Sequence, residues 1–411
     1  MNAHPRVATY GYFGMGNIGN EGSIAAFLAY LRAAHPESGV RCFAADPDAV
    51  RRDHQVDATQ LMTLRAADHR RLGTSRLAKA LSRIWDIPRT FVMMRAVDVL
   101  VVPGTGVFET SLIAQPWGEP YWLFLAVLSC RLRNRAVLLL SIGAEYTGHP
   151  VIRRLNNQVN RMSTYCSFRD AQSREAIRAM GGSDEPGEVV ADLAFALETP
   201  TTAPIRSKRI VIGVMAYDGD PRSHDRPRHL RQEYGDKMTR LVGLLLDDGY
   251  AVTLTGGAEI DRAVATEIEH AVRSRPDRYP TEQVCVSAAV TLEEIMREMG
   301  KASVVVVSRY HNLICALAMC RPTVSLGYAE KSDNLMAEFG LGQFSQHIAS
   351  FDVDSLLEQI RLVQQEHASV APHMADTLRR FHQRLDEQFA TLSADYFGGV
   401  SATIDTAAGD S

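Results

Sequence analysis

Arg309 and His311 stand where four consecutive valines, residues 304–307, give way to a helical pattern at Leu313, Ile314, Leu317 and Ala318. A guanidinium offers a planar fork to a carboxylate or phosphate, and an imidazole two residues on offers a proton near neutrality. Four valines in a row cannot alternate between core and solvent, so this strand is expected to be covered on both faces, as in a parallel sheet. In such sheets ligands bind beyond the carboxyl ends of the strands, where helix N-termini add partial positive charge. The pair reads as an anion-binding corner with its own acid. The plainer alternative is two polar residues solvating a loop.

Other chemistry-bearing residues fall at comparable places. Arg169 follows the apolar run 165–168 in Ser167-Phe-Arg169-Asp170, and Asp192 closes a short run beginning at Val189. These two could pair with each other or serve a site. Gly104 and Gly106 follow the run 97–102 and lead to Glu109, another carboxylate at a strand end. Lys331 opens a helical pattern after Tyr328, and a cation is mildly disfavoured at that end of a helix unless an anion sits there. A phosphate contact and a surface lysine both fit it.

The first strand runs into Gly14, Gly16 and Gly19, a literal G-x-G-x-x-G, and Asp46 follows the second strand. That spacing raises a dinucleotide site and a dehydrogenase. Helical periodicity becomes regular only near Ser23, so the third glycine is expected to lie outside the helix. The resulting polar loop, with Asn17, Asn20 and Glu21, suits sugar hydroxyls better than a pyrophosphate.

Composition bounds the rest. A chain of 411 residues with 46% hydrophobic and 22% charged residues is a globular protein too long for one ordinary core, so two domains are expected. A net charge of -4 leaves no basic excess for nucleic acid. Six cysteines without a C-x-x-C pair and thirteen histidines without ligand spacing give no metal or redox motif. Nucleophile-elbow, zinc-protease and P-loop motifs are absent. The first residues carry no signal-peptide pattern, and the most apolar stretch, 121–130, is too short to span a bilayer. A cytoplasmic protein without a transmembrane segment is expected, and peripheral contact with a membrane is compatible with it. The oligomeric state is not legible.

Strand and helix patterns alternate along the chain. Strands are expected at 7–13, 40–44, 97–102, 136–141 and 165–168, with helices at 23–34, 74–95, 117–132 and 150–161. A Pro- and Thr-rich stretch at 197–208 breaks the series. Strands follow at 210–215, 251–255, 284–286, 304–307 and 323–326, with helices at 236–246, from about 261, at 292–298 and at 331–339. This predicts an α/β protein of two Rossmann-like domains facing across a cleft. The domains expected are 1–200 on the acceptor side and 208–350 on the donor side. Helices at 351–398 pack back, and 399–411 forms a disordered tail.

In their order and spacing these motifs resemble the polysaccharide pyruvyl transferase family. The matching blocks are Gly14-x-Gly16-Asn17-x-Gly19-Asn20-Glu21, Gly104-Thr-Gly106, Ser167-x-Arg169-Asp170, Ala191-Asp192, Ser308-Arg309-x-His311 and Tyr328-x-x-Lys331. The resemblance spans roughly 7–342, and the Ser-x-Arg-x-His block with its downstream Tyr-x-x-Lys is its most specific part. Two positions depart from the family's usual pattern: Asn312 replaces a small or aliphatic residue, and Asn20-Glu21 replaces Gly-Asp.

The resemblance implies a glycosyltransferase-B-like fold and transfer of a pyruvyl group from phosphoenolpyruvate to a sugar as a ketal, with no other cofactor. His311 would be the acid, with Asp192, Glu109 or Glu21 as the base. Arg169, Arg309, Lys331, Ser308 and Tyr328 would hold the donor. Asn17, Asn20, Glu21, Gly16, Gly104 and Glu109 would line the acceptor side. A nucleotide-sugar glycosyltransferase and a non-catalytic glycan-binding relative are the competing readings.

Overall fold

The computed structural model describes residues 4–62, 76–109, 116–183, 186–201, 208–219, 228–274 and 283–398. The first sheet comprises Val7–Tyr10 (β1), Val40–Ala44 (β2), Asp57–Gln60 (β3), Val99–Pro103 (β4), Ala136–Ile142 (β5), Tyr165–Phe168 (β6) and Glu188–Val189 (β7). Its strands are all parallel, in the order β3-β2-β1-β4-β5-β6-β7. The second comprises Arg209–Gly213 (β8), Ala251–Thr255 (β9), Val284–Val286 (β10), Val304–Val307 (β11), Thr323–Gly327 (β12) and Ser345–His347 (β13). It too is parallel, in the order β10-β9-β8-β11-β12-β13. The strand order of each sheet reverses once, beside β1 and beside β8, and such points open a crevice at the carboxyl edge.

Every residue of β4 and of the four-valine β11 is buried, as continuous apolar runs require of strands covered on both faces. The connections are helical: Ile18–Ala34 (α1), Pro47–His54 (α2), Arg76–Met93 (α3), Glu119–Arg131 (α4), Pro150–Met162 (α5) and Ala171–Ala179 (α6). In the second half they are Arg228–Asp247 (α7), Glu259–Arg273 (α8), Leu292–Gly300 (α9), Tyr310–Ala318 (α10) and Glu330–Glu338 (α11). The architecture is α/β, with two Rossmann-like halves facing across a cleft, as expected.

Three differences from the sequence reading matter. Helix α1 begins at Ile18, capped by the Asn17 side chain, so Gly19 lies inside its first turn rather than in a loop before Ser23. Apolar periodicity starts late because small residues, Gly19, Gly22 and Ser23, form the buried face of the first turns. Strands β3 and β13 were not anticipated, and both are sheet edges with polar sequences that carry no apolar run. The stretch 353–395 is one 43-residue helix, Val353–Asp395 (α12), with Pro372 inside it. Residues 202–207 of the break at 197–208 lie outside the described residues, and so does the whole 399–411 tail.

Helix α12 ties the two halves together. It packs on α7, β11 and β12 of the second half, and Arg384 then reaches the Val190 carbonyl of the first. Gln388 accepts from the hydroxyls of Tyr165 and Ser167, and Phe389 stacks on Tyr30 at 4.2 Å. Phe381 sits edge-on to Phe195 at 5.0 Å and to Phe339 at 5.5 Å, joining all three parts. Among the described residues no helix is long and apolar enough to cross a membrane. Phe381→Ala should cost about 3–5 kcal/mol of unfolding free energy, because the ring's loss leaves a cavity between rigid neighbours. A shift in denaturant midpoint of that order is the expected reading.

Candidate active site

The site assembles where the carboxyl edge of the first sheet meets the N-termini of α10 and α11. After β4 the chain turns at Gly104, whose φ of +51° favours glycine, and runs beside the extension of β5, Phe108 pairing with Ala144. That path delivers Glu109. After β6 comes Arg169, and Asp170 caps α6 by accepting from the Ser173 amide at 2.6 Å. Past β7, Asp192 caps a short 3-10 turn, Leu193–Ala196, through its Oδ1.

Arg169 is the centre of the arrangement. Its side chain is 4% exposed and faces three carboxylates: Glu109, Asp170 at 3.2 Å and Asp192 at 3.8 Å. Its guanidinium lies over the Tyr310 ring, 4.7 Å from the centroid. Gly143 makes room for it, since a Cβ there would stand 2.7 Å from both the guanidinium carbon and the Glu109 carboxylate. Lys331 reaches across from the first turn of α11 to the same carboxylate, with Oε1 at 3.2 Å and Oε2 at 3.1 Å. Glu109 thus bridges a cation from each half of the molecule. Burial alone would raise its pKa, but Arg169 and Lys331 outweigh burial and hold it at about 2.

His311 enters from the second half. Its ring lies against the backbone of Gly19, and any side chain at that glycine would collide with it. Its Nε2 stands 3.9 Å from Asp192 Oδ2. Both atoms are buried, and neither has a hydrogen-bond partner. Burial lowers the imidazole pKa, Arg169 and Lys331 push the same way, and Asp192 and Glu109 oppose them. The histidine is therefore less readily protonated than one titrating near neutrality, because the enclosure and two cations disfavour a third positive charge.

The structure separates Arg309 from this cluster's ion pairs. Arg309 caps α10 through its backbone, while its guanidinium binds Asp261 in bidentate fashion at 2.9 and 2.7 Å. Asp261, fully buried, also accepts the amides of Ala216 and Gly257. The charge available to a ligand at Arg309 is largely matched already. Ser308 is buried against the Tyr234 hydroxyl at 3.4 Å, and Tyr328 lies near enough to bias Arg309 electrostatically.

The glycine loop is similarly committed. Asn17 Oδ1 accepts the amides of Gly19 and Asn20, and its backbone forms a bridge with Ala258 of the second half. Gly16 faces Glu259, Glu21 binds the Gly14 amide and His54, and the Asn20 amide nitrogen donates to the Tyr12 carbonyl. Asp46 caps α2. The third glycine does sit in a helix, as a dinucleotide fingerprint requires, but its open face receives His311 and the helix end is closed by Asn17.

Sequence reasoning missed Asp261, Gly143 and Tyr310. Gly143 directly follows an apolar run and Tyr310 lies inside the Ser308–His311 block, so both carried a local signal. Asp261 had none, because its partner is 48 residues away. Among the described residues no three His, Cys, Asp or Glu side chains are grouped to hold a metal.

Glu109→Ala should destabilise the fold by about 3–5 kcal/mol, since it strands two nearly buried cations. Added phosphate should recover part of the loss; equal stability of the two proteins would contradict the bridge. The His311 pKa is depressed below 6.5, so its contribution to stability is complete above that pH and is lost as pH falls through the folded value. The wild type should therefore lose stability relative to His311→Gln as pH drops below 6.5. A pH-independent difference in denaturation midpoint would count against it.

Comparison with known proteins gives the fold and the family. No curated protein matches the chain in sequence. In fold it is similar to a Listeria monocytogenes protein described as a candidate UDP-N-acetylglucosamine 2-epimerase, with a TM-score of 0.63, 13% identity and coverage of 97% of this chain and 98% of that one. It is also similar to the UDP-GlcNAc 2-epimerase of Neisseria meningitidis bound to UDP-GlcNAc, at 0.58, 12%, 95% and 100%. The corresponding enzyme of Methanocaldococcus jannaschii gives 0.57, 8%, 87% and 92%. At these identities the likeness is one of fold, the glycosyltransferase-B-like pair of Rossmann domains. The polysaccharide pyruvyl transferase family model matches residues 17–330, a range that holds Glu109, Arg169, Asp192 and His311 and ends one residue before Lys331. The chain belongs to the polysaccharide pyruvyl transferase family.

Proposed function

We propose that the protein transfers a pyruvyl group from phosphoenolpyruvate to two hydroxyls of a sugar, forming a cyclic ketal and releasing phosphate. The observation that carries this reading is the pair formed by His311 Nε2 and Asp192 Oδ2, buried, unpartnered and 3.9 Å apart beside a guanidinium. Two such atoms leave a gap that a reacting group would fill.

Phosphoenolpyruvate presents a carboxylate and a phosphate. Arg169 and Lys331 are the cations it would meet, with the donor taking over from Glu109 as their counter-charge. A multiply charged anion beside His311 reverses the balance that keeps the imidazole neutral, so the acid gains its proton as the donor arrives. His311 then protonates the methylene carbon, which becomes a methyl group, and C2 acquires the positive character that a sugar hydroxyl attacks. Asp192 accepts that hydroxyl's proton. The C2–O bond to phosphate breaks, a second hydroxyl closes the ring, and its proton leaves with phosphate. Glu109, held near 2, is a poor base and fits the role of anchoring the cations. Arg309, tied to Asp261, positions the start of α10 and hence His311. The acceptor would enter from the first half, past Tyr12 and Gly104.

Phosphoenolpyruvate should raise the melting temperature, and nucleotide sugars should not. Incubation with phosphoenolpyruvate and candidate glycan intermediates should add the mass of a pyruvyl ketal. His311→Gln should lower turnover by about 10²–10⁴ with the fold intact. Stabilisation by a nucleotide sugar alone, or wild-type turnover in His311→Gln, would overturn the reading.

A further inference from the structure

Strand β5 breaks step near its end. Leu139 pairs with Cys166 of β6 and Ile142 with Phe168, so three steps along β5 match two along β6. Ser141 is the extra residue of this β-bulge, and its φ of +49° is one that side chains other than glycine seldom adopt. An inserted residue reverses the face that each later side chain takes. Leu138 and Leu140 accordingly lie in one core of the first half, and Leu139 and Ile142 in the other. The bulge thereby turns Gly143 toward Arg169, where the missing Cβ leaves room for the guanidinium. Backbone groups just past the bulge then hold the site's residues directly. The Ile142 carbonyl accepts the Arg169 amide at 3.2 Å, and the Gly143 carbonyl accepts the amide of Phe108, next to Glu109, at 3.3 Å. The Gly143 amide donates to the Thr105 carbonyl at 3.1 Å.

The bulge is itself held from a distant part of the chain. The Ser141 amide donates to Ser167 Oγ at 2.7 Å, and the Ser167 hydroxyl donates to Gln388 Oε1 on α12. Ser141 and Ser167 are wholly buried, and Gln388 is 2% exposed. One turn earlier on α12, Arg384 reaches the Val190 carbonyl. The helix therefore touches the chain two residues before Arg169 and two residues before Asp192. The arrangement is poor for stability alone. Besides the positive φ, it leaves Ser141 Oγ and Gln388 Nε2 buried without hydrogen-bond partners. Strain and orphaned polar groups of this kind persist where the surroundings over-determine them, and they gather at functional sites.

We infer that Gln388 is a positioning residue of the anion site: through Ser167 it fixes the Ser141 bulge, which sets Arg169 and Glu109 in register. Helix α12, which also packs on the second half, thus reaches the cation of the first half without touching a ligand. The inference rests on the donor reading in one respect, that Arg169 meets the anionic groups of phosphoenolpyruvate.

The test compares the full chain with Gln388→Met, Ser167→Ala and the double variant. Calorimetric titration with phosphoenolpyruvate gives affinity, and hydrogen–deuterium exchange without ligand reports on the bulge. Gln388→Met removes the acceptor without opening a cavity and also removes the orphaned Nε2, so the melting temperature should stay close to wild type. Exchange should quicken in the segment 139–144 and stay unchanged in β8 and β11. Phosphoenolpyruvate should bind about tenfold more weakly in each single variant, because the guanidinium is misplaced. The double variant should bind no more weakly than the weaker single one, since one route is cut at two points. Wild-type affinity in Gln388→Met would overturn the inference, as would losses that multiply in the double variant. A lowered melting temperature with unchanged affinity would overturn it too, because Gln388 would then serve the fold alone. A wild type that binds no phosphoenolpyruvate would overturn the donor reading and this inference with it, and the wild-type titration by itself tells that failure from the others.

Discussion

A buried carboxylate shared between two cations from opposite halves of the chain organises this molecule. Glu109 holds Arg169 of the first half and Lys331 of the second, and all three side chains are nearly withdrawn from water. Buried ion pairs return little net stability compared with apolar packing, since desolvation offsets their attraction. A network of this kind at the mouth of two Rossmann domains is therefore poor structural economy and good preparation for an anion. It fixes a guanidinium and an ammonium in place and matches their charge.

The same closure brings His311 to Asp192. The histidine belongs to α10 and the aspartate to the turn after β7, so neither half contains both groups. Gly19 permits their approach by presenting bare backbone to the imidazole, and the Phe195–Phe339–Phe381 cluster holds the adjoining turn. Any motion that parts the halves separates the pair, breaks the Lys331 contact and opens the site to water. Binding of a ligand between the halves can thus be coupled to bringing these groups together.

Much of this was legible in sequence. The alternation of strands and helices gave both sheets, since fully buried parallel strands announce themselves as apolar runs. Arg169, Asp192, His311 and Lys331 were found because each lies at a strand end or helix start, where local pattern and chemistry coincide. What stayed hidden was pairing at a distance. Nothing around Arg309 marks Asp261 as the group that satisfies it, and nothing around Gly19 marks it as the floor beneath His311. Edge strands β3 and β13 escaped because one polar side faces solvent and removes the apolar run.

The central claim is that a buried acid delivers a proton to the donor's methylene carbon. The most direct measurement runs the reaction with phosphoenolpyruvate and a competent acceptor in D2O and examines the product methyl group by NMR. An exchangeable group such as His311 delivers one solvent-derived deuteron, so the ketal should carry CH2D as phosphate is released. A ketal methyl without solvent label, or phosphate release without ketal formation, would contradict the account.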